Sequence, residues 1–279
     1  MHELWKLTGI PKSTLYRYVQ QLAETGSLAR KPGQGRPKTL IPTKQRHLGR
    51  LATAQKVLKL PRSFFRLLKK LGVEWAREHL RQSWNKTVFS DETTLQLFRN
   101  TTLTRYKLGE ERPQLGTVKH SLRVHVWGAF CAQGTIGFHM FTENMNGELY
   151  RKILTENLFS NANKTLGRNW VFQQDNDPKH TARLTTTLLK ERCAKVLDWP
   201  SYSPDLNPIE NLWAILKRRV EKRVHRLVAK KKPVGLEVFQ SIIRSEWEAL
   251  DRNLLTSLVK SMKKRLELVI EKDGRKIKY

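Results

Sequence analysis

The stretch WVFQQDNDPKH, Trp170 to His180, decides how the rest of the chain is read. Its apolar half, WVFQQ, has strand length and ends on a carboxylate, Asp175. Asp177 then stands directly before Pro178, an N-cap type followed by the residue best suited to the first helical position. The pattern carries that helix to about Glu191. Strand, carboxylate, helix is an order expected of an α/β structure.

Working outward, KTVFSDETTLQLF (Lys86 to Phe98) reads as a strand, a polar turn and a second strand. LRVHVWGAF (Leu122 to Phe130) is a β-rich run, and GTIGFHMF follows after a short polar turn. Residues 147–159 have a helical pattern. Downstream, AKVLDW is a short strand, and after SPDLNP a helix runs from Pro208 to about Val224. HRLVAKKKPVG is a basic break, and amphipathic helical segments cover 236–248 and 253–271. Strands first, then strands alternating with helices, predict a mixed α/β sheet flanked by helices over residues 83–279.

Charge is the compositional outlier. Lys and Arg number 53 against 25 Asp and Glu, a net +28 over 279 residues. Such an excess points to a polyanionic partner, most simply nucleic acid. A constitutive RNA-binding protein would share it. Hydrophobic residues make up 39% of the chain, with eight Trp, enough to build a core. The two cysteines, Cys131 and Cys193, form no CxxC, which argues against a zinc site or a disulfide framework and fits a reducing compartment. No run of about 18 apolar residues predicts a membrane span. The start, MHELWKLTGI, lacks the basic-then-apolar order of a secretory signal.

The first 82 residues have a different character. Residues 1–30 read as two short helices around Gly9, with Ile10, Leu15, Val19 and Leu22 as the apolar stripe of the second. This order matches a helix-turn-helix, whose second helix would present Lys12, Ser13, Thr14 and Arg17 to DNA. An ordinary helical hairpin with a basic face has the same pattern. Residues 31–40 are a linker containing GRPK, Gly35 to Lys38. GRPK is similar to an AT-hook core, a narrow strip that lets Arg36 enter an AT-rich minor groove beside Lys38. Residues 41–82 are basic and mostly helical, with Pro61 dividing them, and are expected to form a second DNA-binding unit or a solvated helix pair.

Three acids stand out in so basic a chain. Asp91 follows the strand KTVFS, Asp175 follows WVFQQ, and Glu210 falls on the first turn of a helix. Two strand-end carboxylates and one helix carboxylate can converge at one sheet edge. Packed together they would repel unless a cation neutralised them. Oxygen ligands favour Mg²⁺ or Mn²⁺, and two ions about 4 Å apart suit phosphodiester chemistry. Each acid also has a structural use: a turn at Asp91, an Asx-turn at Asp175, a capping box between Asn207 and Glu210. Asp177 and Asp205 compete as ligands.

VFSDE, VWGAF, VFQQDNDPKHTAR, WPSYSPDLNPIENLW and the terminal SMKKRLELVIEKDGRKIKY together resemble the Tc/mariner superfamily of cut-and-paste transposases. The 34 residues between Asp175 and Glu210 look like the Tc branch, whose third ligand is Glu. The likeness is strong from about Leu71 to Tyr279 and looser before it. It implies an RNase H-like catalytic fold, a metal-bound triad of Asp91, Asp175 and Glu210, and an N-terminal region that binds terminal inverted repeats. It further implies cutting at both element ends, joining of 3′-hydroxyls to a TA target, and a homodimer or larger assembly. Asn207 and Pro208 are expected to position the helix carrying Glu210. Lys179 and His180 lie near enough to contact a phosphate, and as helix-start residues are expected at the surface. KKKP (230–233) and KRRVEKR (217–223) fit nuclear import, as well as DNA binding or a solvated surface.

The sequence departs from the family at its start. The first helix of a three-helix unit is not evident, and the interval from Thr39 to Lys86, 48 residues, is short for the family's second DNA-binding unit. A transposase-derived DNA-binding protein that occupies repeats without cutting them is the alternative expectation.

Overall fold

The computed structural model describes residues 62–97, 122–193, 195–201 and 203–278. The expected helix-turn-helix with Lys12, Ser13, Thr14 and Arg17, and the GRPK strip with Arg36 and Lys38, lie outside the described residues.

The chain forms α1 (Arg62–His79), β1 (Thr87–Gln96), β2 (Arg123–Cys131), β3 (Gly134–Phe141), α2 (Gly147–Asn157) and α3 (Phe159–Leu166). It continues with β4 (Val171–Gln173), α4 (Pro178–Thr181), α5 (Arg183–Arg192) and β5 (Lys195–Val196). A 3₁₀ turn at Pro204–Leu206 leads to α6 (Ile209–Ala229), α7 (Leu236–Glu248), α8 (Arg252–Lys260) and α9 (Met262–Glu271). The strands make one mixed sheet in the order β3-β2-β1-β4-β5, with β1 antiparallel to β2 and parallel to β4. Among the described residues no helix is long and apolar enough to cross a membrane.

The sheet is covered on both faces, as the alternation along its strands dictates. Phe89, Val124, Val126 and Phe130 point into a core shared with α1, α6, α7, α8 and α9. Val88, Trp127, Ala129 and Cys131 point the other way, onto α2, α3 and α5.

The sequence pattern misplaces one turn. SDET is not a turn between two strands: β1 runs through it unbroken, paired with β2 from Phe89↔Phe130 to Gln96↔Arg123. The polar residues mark where β1 loses its other neighbour, since β4 accompanies only Thr87 to Phe89. The same lack of tertiary context hides helix breaks. The helix expected from Pro178 to Glu191 is interrupted at Ala182, whose ψ of 146° is extended. The 253–271 helix divides at Ser261, whose hydroxyl donates back to the Leu258 carbonyl at 2.6 Å.

The end of the segment expected as a second DNA-binding unit shares the core of the sheet domain. Val73, Trp75 and Ala76 of α1 are buried in it. The Trp75 indole packs edge-on to Trp199 at 5.1 Å and donates to the Asp198 carbonyl at 2.6 Å.

Candidate active site

The register of the parallel pair builds the site. Its last partners are Phe89 and Gln173. Asp91 and Asp175 each lie two residues further on, and a step of two keeps a side chain on the same face. The junction is locked by Ser90, whose N–H donates to Gln173 Oε1 at 3.2 Å and whose hydroxyl donates to the Gln173 carbonyl at 2.8 Å. Asn207 then ties the third element to the same point: its Nδ2 donates to the Ser90 carbonyl at 3.3 Å, and its Oδ1 accepts the Ile209 N–H at 3.3 Å. Helix α6 therefore starts beside β1, and Pro208, at its N-cap, is buried there. Asp91, Asp175 and Glu210 line one cavity of about 550 Å³.

Glycine at position 128 allows the close approach of α6. Gly128 pairs with Asp91, and a Cβ there would come within 2.5 Å of the Trp213 ring. The absent side chain lets the Trp213 indole N–H reach Asp91 Oδ2 at 3.3 Å.

Glu210 is not the capping-box glutamate. The Asn207 N–H that such a box would use donates to the Pro204 carbonyl at 3.0 Å, and Glu210 meets Asn207 only through its own N–H at 3.2 Å. The carboxylate opens to the cleft instead. The Asx-turn and N-cap expected further upstream do form: Asp175 Oδ1 accepts the Asp177 N–H at 3.0 Å, and Asp177 Oδ1 accepts the Lys179 N–H at 2.9 Å. Asp205 accepts the Ile277 N–H at 2.7 Å.

Lys179 and His180 do stand at the start of α4, but not at the surface: Lys179 is half-buried and His180 buried. The His180 side chain is 2% exposed and spans two acids, with Nδ1 2.6 Å from Asp175 Oδ1 and Nε2 3.1 Å from Glu92 Oε1. Its ring packs on Tyr150 at 4.1 Å, and the Tyr150 hydroxyl donates to Gln174 at 2.7 Å. Lys179 Nζ bridges Asp177 at 2.9 Å and Glu92 at 3.4 Å. Sequence reasoning missed Glu92, which in SDET reads only as one of several polar residues beside Asp91. The signal was a second acid, Glu92, next to Asp91 with a His and a Lys available downstream.

These contacts divide the acids electrostatically. Burial, then the charges of Glu92, Glu210 and Asp175, hold the Asp91 carboxyl well above the usual carboxylate range. Burial also raises Glu210, against Lys217. Burial alone would raise Asp175, but its hydrogen bond to His180 and that residue's charge bring it below its ordinary value. His180, which burial would depress, is lifted by Glu92 and Asp175 to about 10, so it is an imidazolium at neutral pH.

Among the described residues no three acidic, His or Cys side chains are gathered into a ready-made metal cage. The fit to a cation lies in the donor set: hard oxygen donors from three elements on one cleft, two of them disfavoured as anions by burial and then by their neighbouring acids.

A mixed sheet covered by helices on both faces, with acids delivered by two adjacent strands and a following helix, defines an RNase H-like catalytic domain. Residues 86–232 match the family model of the DDE superfamily endonucleases. The chain is 37% identical over 216 residues to the Tcb2 transposase of Caenorhabditis briggsae, covering 74% of this chain and 76% of that protein. It is 36% identical over 217 residues to the Tc1 transposase of Caenorhabditis elegans, with 74% and 76% covered. In fold it is similar to the Mos1 transposase paired-end complex with left transposon end, at a TM-score of 0.63 and 18% identity over 96% of this chain and 90% of that one. The chain belongs to the DDE superfamily endonucleases, among the Tc1/mariner cut-and-paste transposases.

Proposed function

We propose that this chain binds the terminal inverted repeats of a DNA element, hydrolyses phosphodiesters at its ends and joins the freed 3′-hydroxyls to TA target DNA. Asp91, Asp175 and Glu210 are the catalytic carboxylates and would hold two Mg²⁺ or Mn²⁺ ions. The observation that carries this reading is the Phe89–Gln173 register, which puts Asp91 and Asp175 on one face and, through Asn207, brings Glu210 to the same cleft.

Bound metal would supply Lewis-acid stabilisation of the attacking and leaving oxygens in an in-line displacement. The protein's own part is positional. Asn207 and Pro208 aim Glu210, Trp213 orients Asp91 through one oxygen, and His180 with the Asp177 N–H fixes Asp175 through Oδ1. No covalent enzyme intermediate is needed, because water and then a 3′-hydroxyl serve as nucleophiles. The +28 net charge suits binding of the duplex. Lys12, Ser13, Thr14, Arg17, Arg36 and Lys38 are the proposed repeat-reading residues. Two ends must be held at once, so the acting form is a homodimer or larger, and it works in the nucleus.

The test uses duplexes carrying the inverted repeats that flank the gene. The expected result is Mg²⁺-dependent cleavage at the repeat end, abolished in Asp175→Asn. Binding of the repeats without metal-dependent cleavage would overturn the enzyme reading and leave a transposase-derived DNA-binding protein.

A further inference from the structure

The catalytic cleft has a second wall of opposite charge, built by the last residues of the chain. After α9 the backbone folds back rather than running out into solvent. Gly274 adopts a left-handed conformation, φ 69°, and lies against the backbone of Lys69 in α1, where any side chain would collide. Its N–H donates to the Val269 carbonyl at 2.9 Å. Three residues on, Ile277 is 2% exposed in the main core, and its N–H donates to Asp205 Oδ2 at 2.7 Å.

Between these two anchors stand Arg275 and Lys276. Both are exposed, and both line the cavity that holds Asp91, Asp175 and Glu210. Lys69 lines the same wall. None of the three has an ion pair among the described residues. Lys276 is near enough to Glu210 for its charge to favour that carboxylate. The packing of the tail is supplied by Gly274 and Ile277, so the two cations between them are not needed to hold it. What they face is a floor of carboxylates, which repels any phosphate except one bridged by metal. Phosphates flanking the scissile one need attraction from somewhere else, and backbone phosphates are ordinarily held by Arg and Lys.

We propose that Arg275 and Lys276 bind DNA-backbone phosphates beside the scissile one, making the C-terminal tail a substrate-positioning wall of the catalytic cleft. This rests on the transposase reading above. The wall holds the strand across the cleft while the carboxylates address the phosphorus that reacts.

The experiment uses the full chain, a duplex carrying one inverted-repeat end, and Mg²⁺. Cleavage by the unaltered chain is measured first. The double variant Arg275→Gln/Lys276→Gln is then compared with the charge-preserving Arg275→Lys/Lys276→Arg. The neutral variant is expected to raise KM for the duplex by about tenfold or more, with kcat changed far less, as loss of charged hydrogen bonds to bound substrate requires. The slope of log binding constant against log salt should flatten by roughly 0.9 for each lost phosphate contact. The charge-preserving variant should restore both, with thermal midpoints unchanged throughout. The proposal is overturned if the neutral variant matches the unaltered chain in KM and salt slope, or if the charge-preserving variant is equally defective. Cleavage by the unaltered chain together with either result leaves the transposase reading standing. An unaltered chain that binds the duplex and never cuts it overturns both.

Discussion

Asp91 and Asp175 occupy equivalent places, each two residues past the Phe89–Gln173 pair, yet their surroundings are opposite. Around Asp175 the protein supplies its own compensation: a buried imidazolium at 2.6 Å, a backbone N–H at 3.0 Å and the charge of Lys179, which itself pairs with Asp177. Around Asp91 it supplies the Trp213 indole N–H at 3.3 Å and a backbone hydrogen bond from Glu92, against burial and three other acids whose charges push its carboxyl up. Position in the sheet brings the two acids together, whereas the helices laid over them decide which is neutralised internally. The less compensated side, Asp91 with Glu210, whose carboxyls are both held above their ordinary values, is where an added cation gains most.

Replacing a carboxylate outright is the harshest test of that division. Asp91→Asn and Asp175→Asn are each expected to cut the cleavage rate by on the order of 10³-fold or more, with repeat binding retained in a gel-shift assay. Their stabilities should part, however. Asp91→Asn removes repulsion and should raise the thermal midpoint, while Asp175→Asn strips His180 of its nearer partner and should lower it.

His180→Gln probes the compensated side. It removes the buried ring that bridges Glu92 and the half-exposed Asp175 and leaves the two acids facing each other, a loss of about 1–2 kcal/mol by denaturant titration once solvent screening of Asp175 is allowed for. Metal affinity measured by calorimetry should shift by roughly 10–100-fold, the usual consequence of disturbing a group that orients a ligand. An unchanged affinity would show that Asp175 does not depend on His180 for its aim.

Gly128→Ala attacks the other side by geometry. Its Cβ would meet the Trp213 and Trp247 rings at 2.5 and 2.8 Å, forcing α6 away from β2. Overpacking of this kind costs about 1–3 kcal/mol. Glu210 rides on the same helix, so cleavage should fall along with stability. The mildest change in rate is Trp213→Phe, which deletes the indole N–H to Asp91 and also trims the buried ring that packs against Gly128, so stability falls separately through a cavity. A bond of 3.3 Å predicts about 1 kcal/mol and at most about a tenfold slower reaction. A larger fall would mean that Asp91 is less free than its surroundings indicate.

Much of this site was legible in the sequence, for reasons that differ by residue. Asp175 was legible because an apolar strand, an Asx-forming acid and an N-cap before proline follow one another without a gap. Helices α6 and α7 followed from their apolar period, and the start of α6 from Asn207 and Pro208. Asp91 was found but misplaced at a turn, because polar residues at a half-open strand look like a turn until the partner strand is known. The double use of His180 and the part played by Glu92 were not legible, since 88 residues separate them in the chain. The role of Gly128 needed the approach of Trp213 to be seen.

The sequence by itself determined which residues carry charge, roughly where most strands and helices lie, though not their breaks, and that Asp175 precedes a helix start while Glu210 follows another. Local chemistry suffices for those, because capping, periodicity and composition act over a few neighbouring residues. Only the tertiary structure decided which acids meet, which of them the protein compensates, and that the tail folds back to place Arg275 and Lys276 across the cleft. Those outcomes depend on a strand register and on helix packing, which bring together groups that no local pattern links.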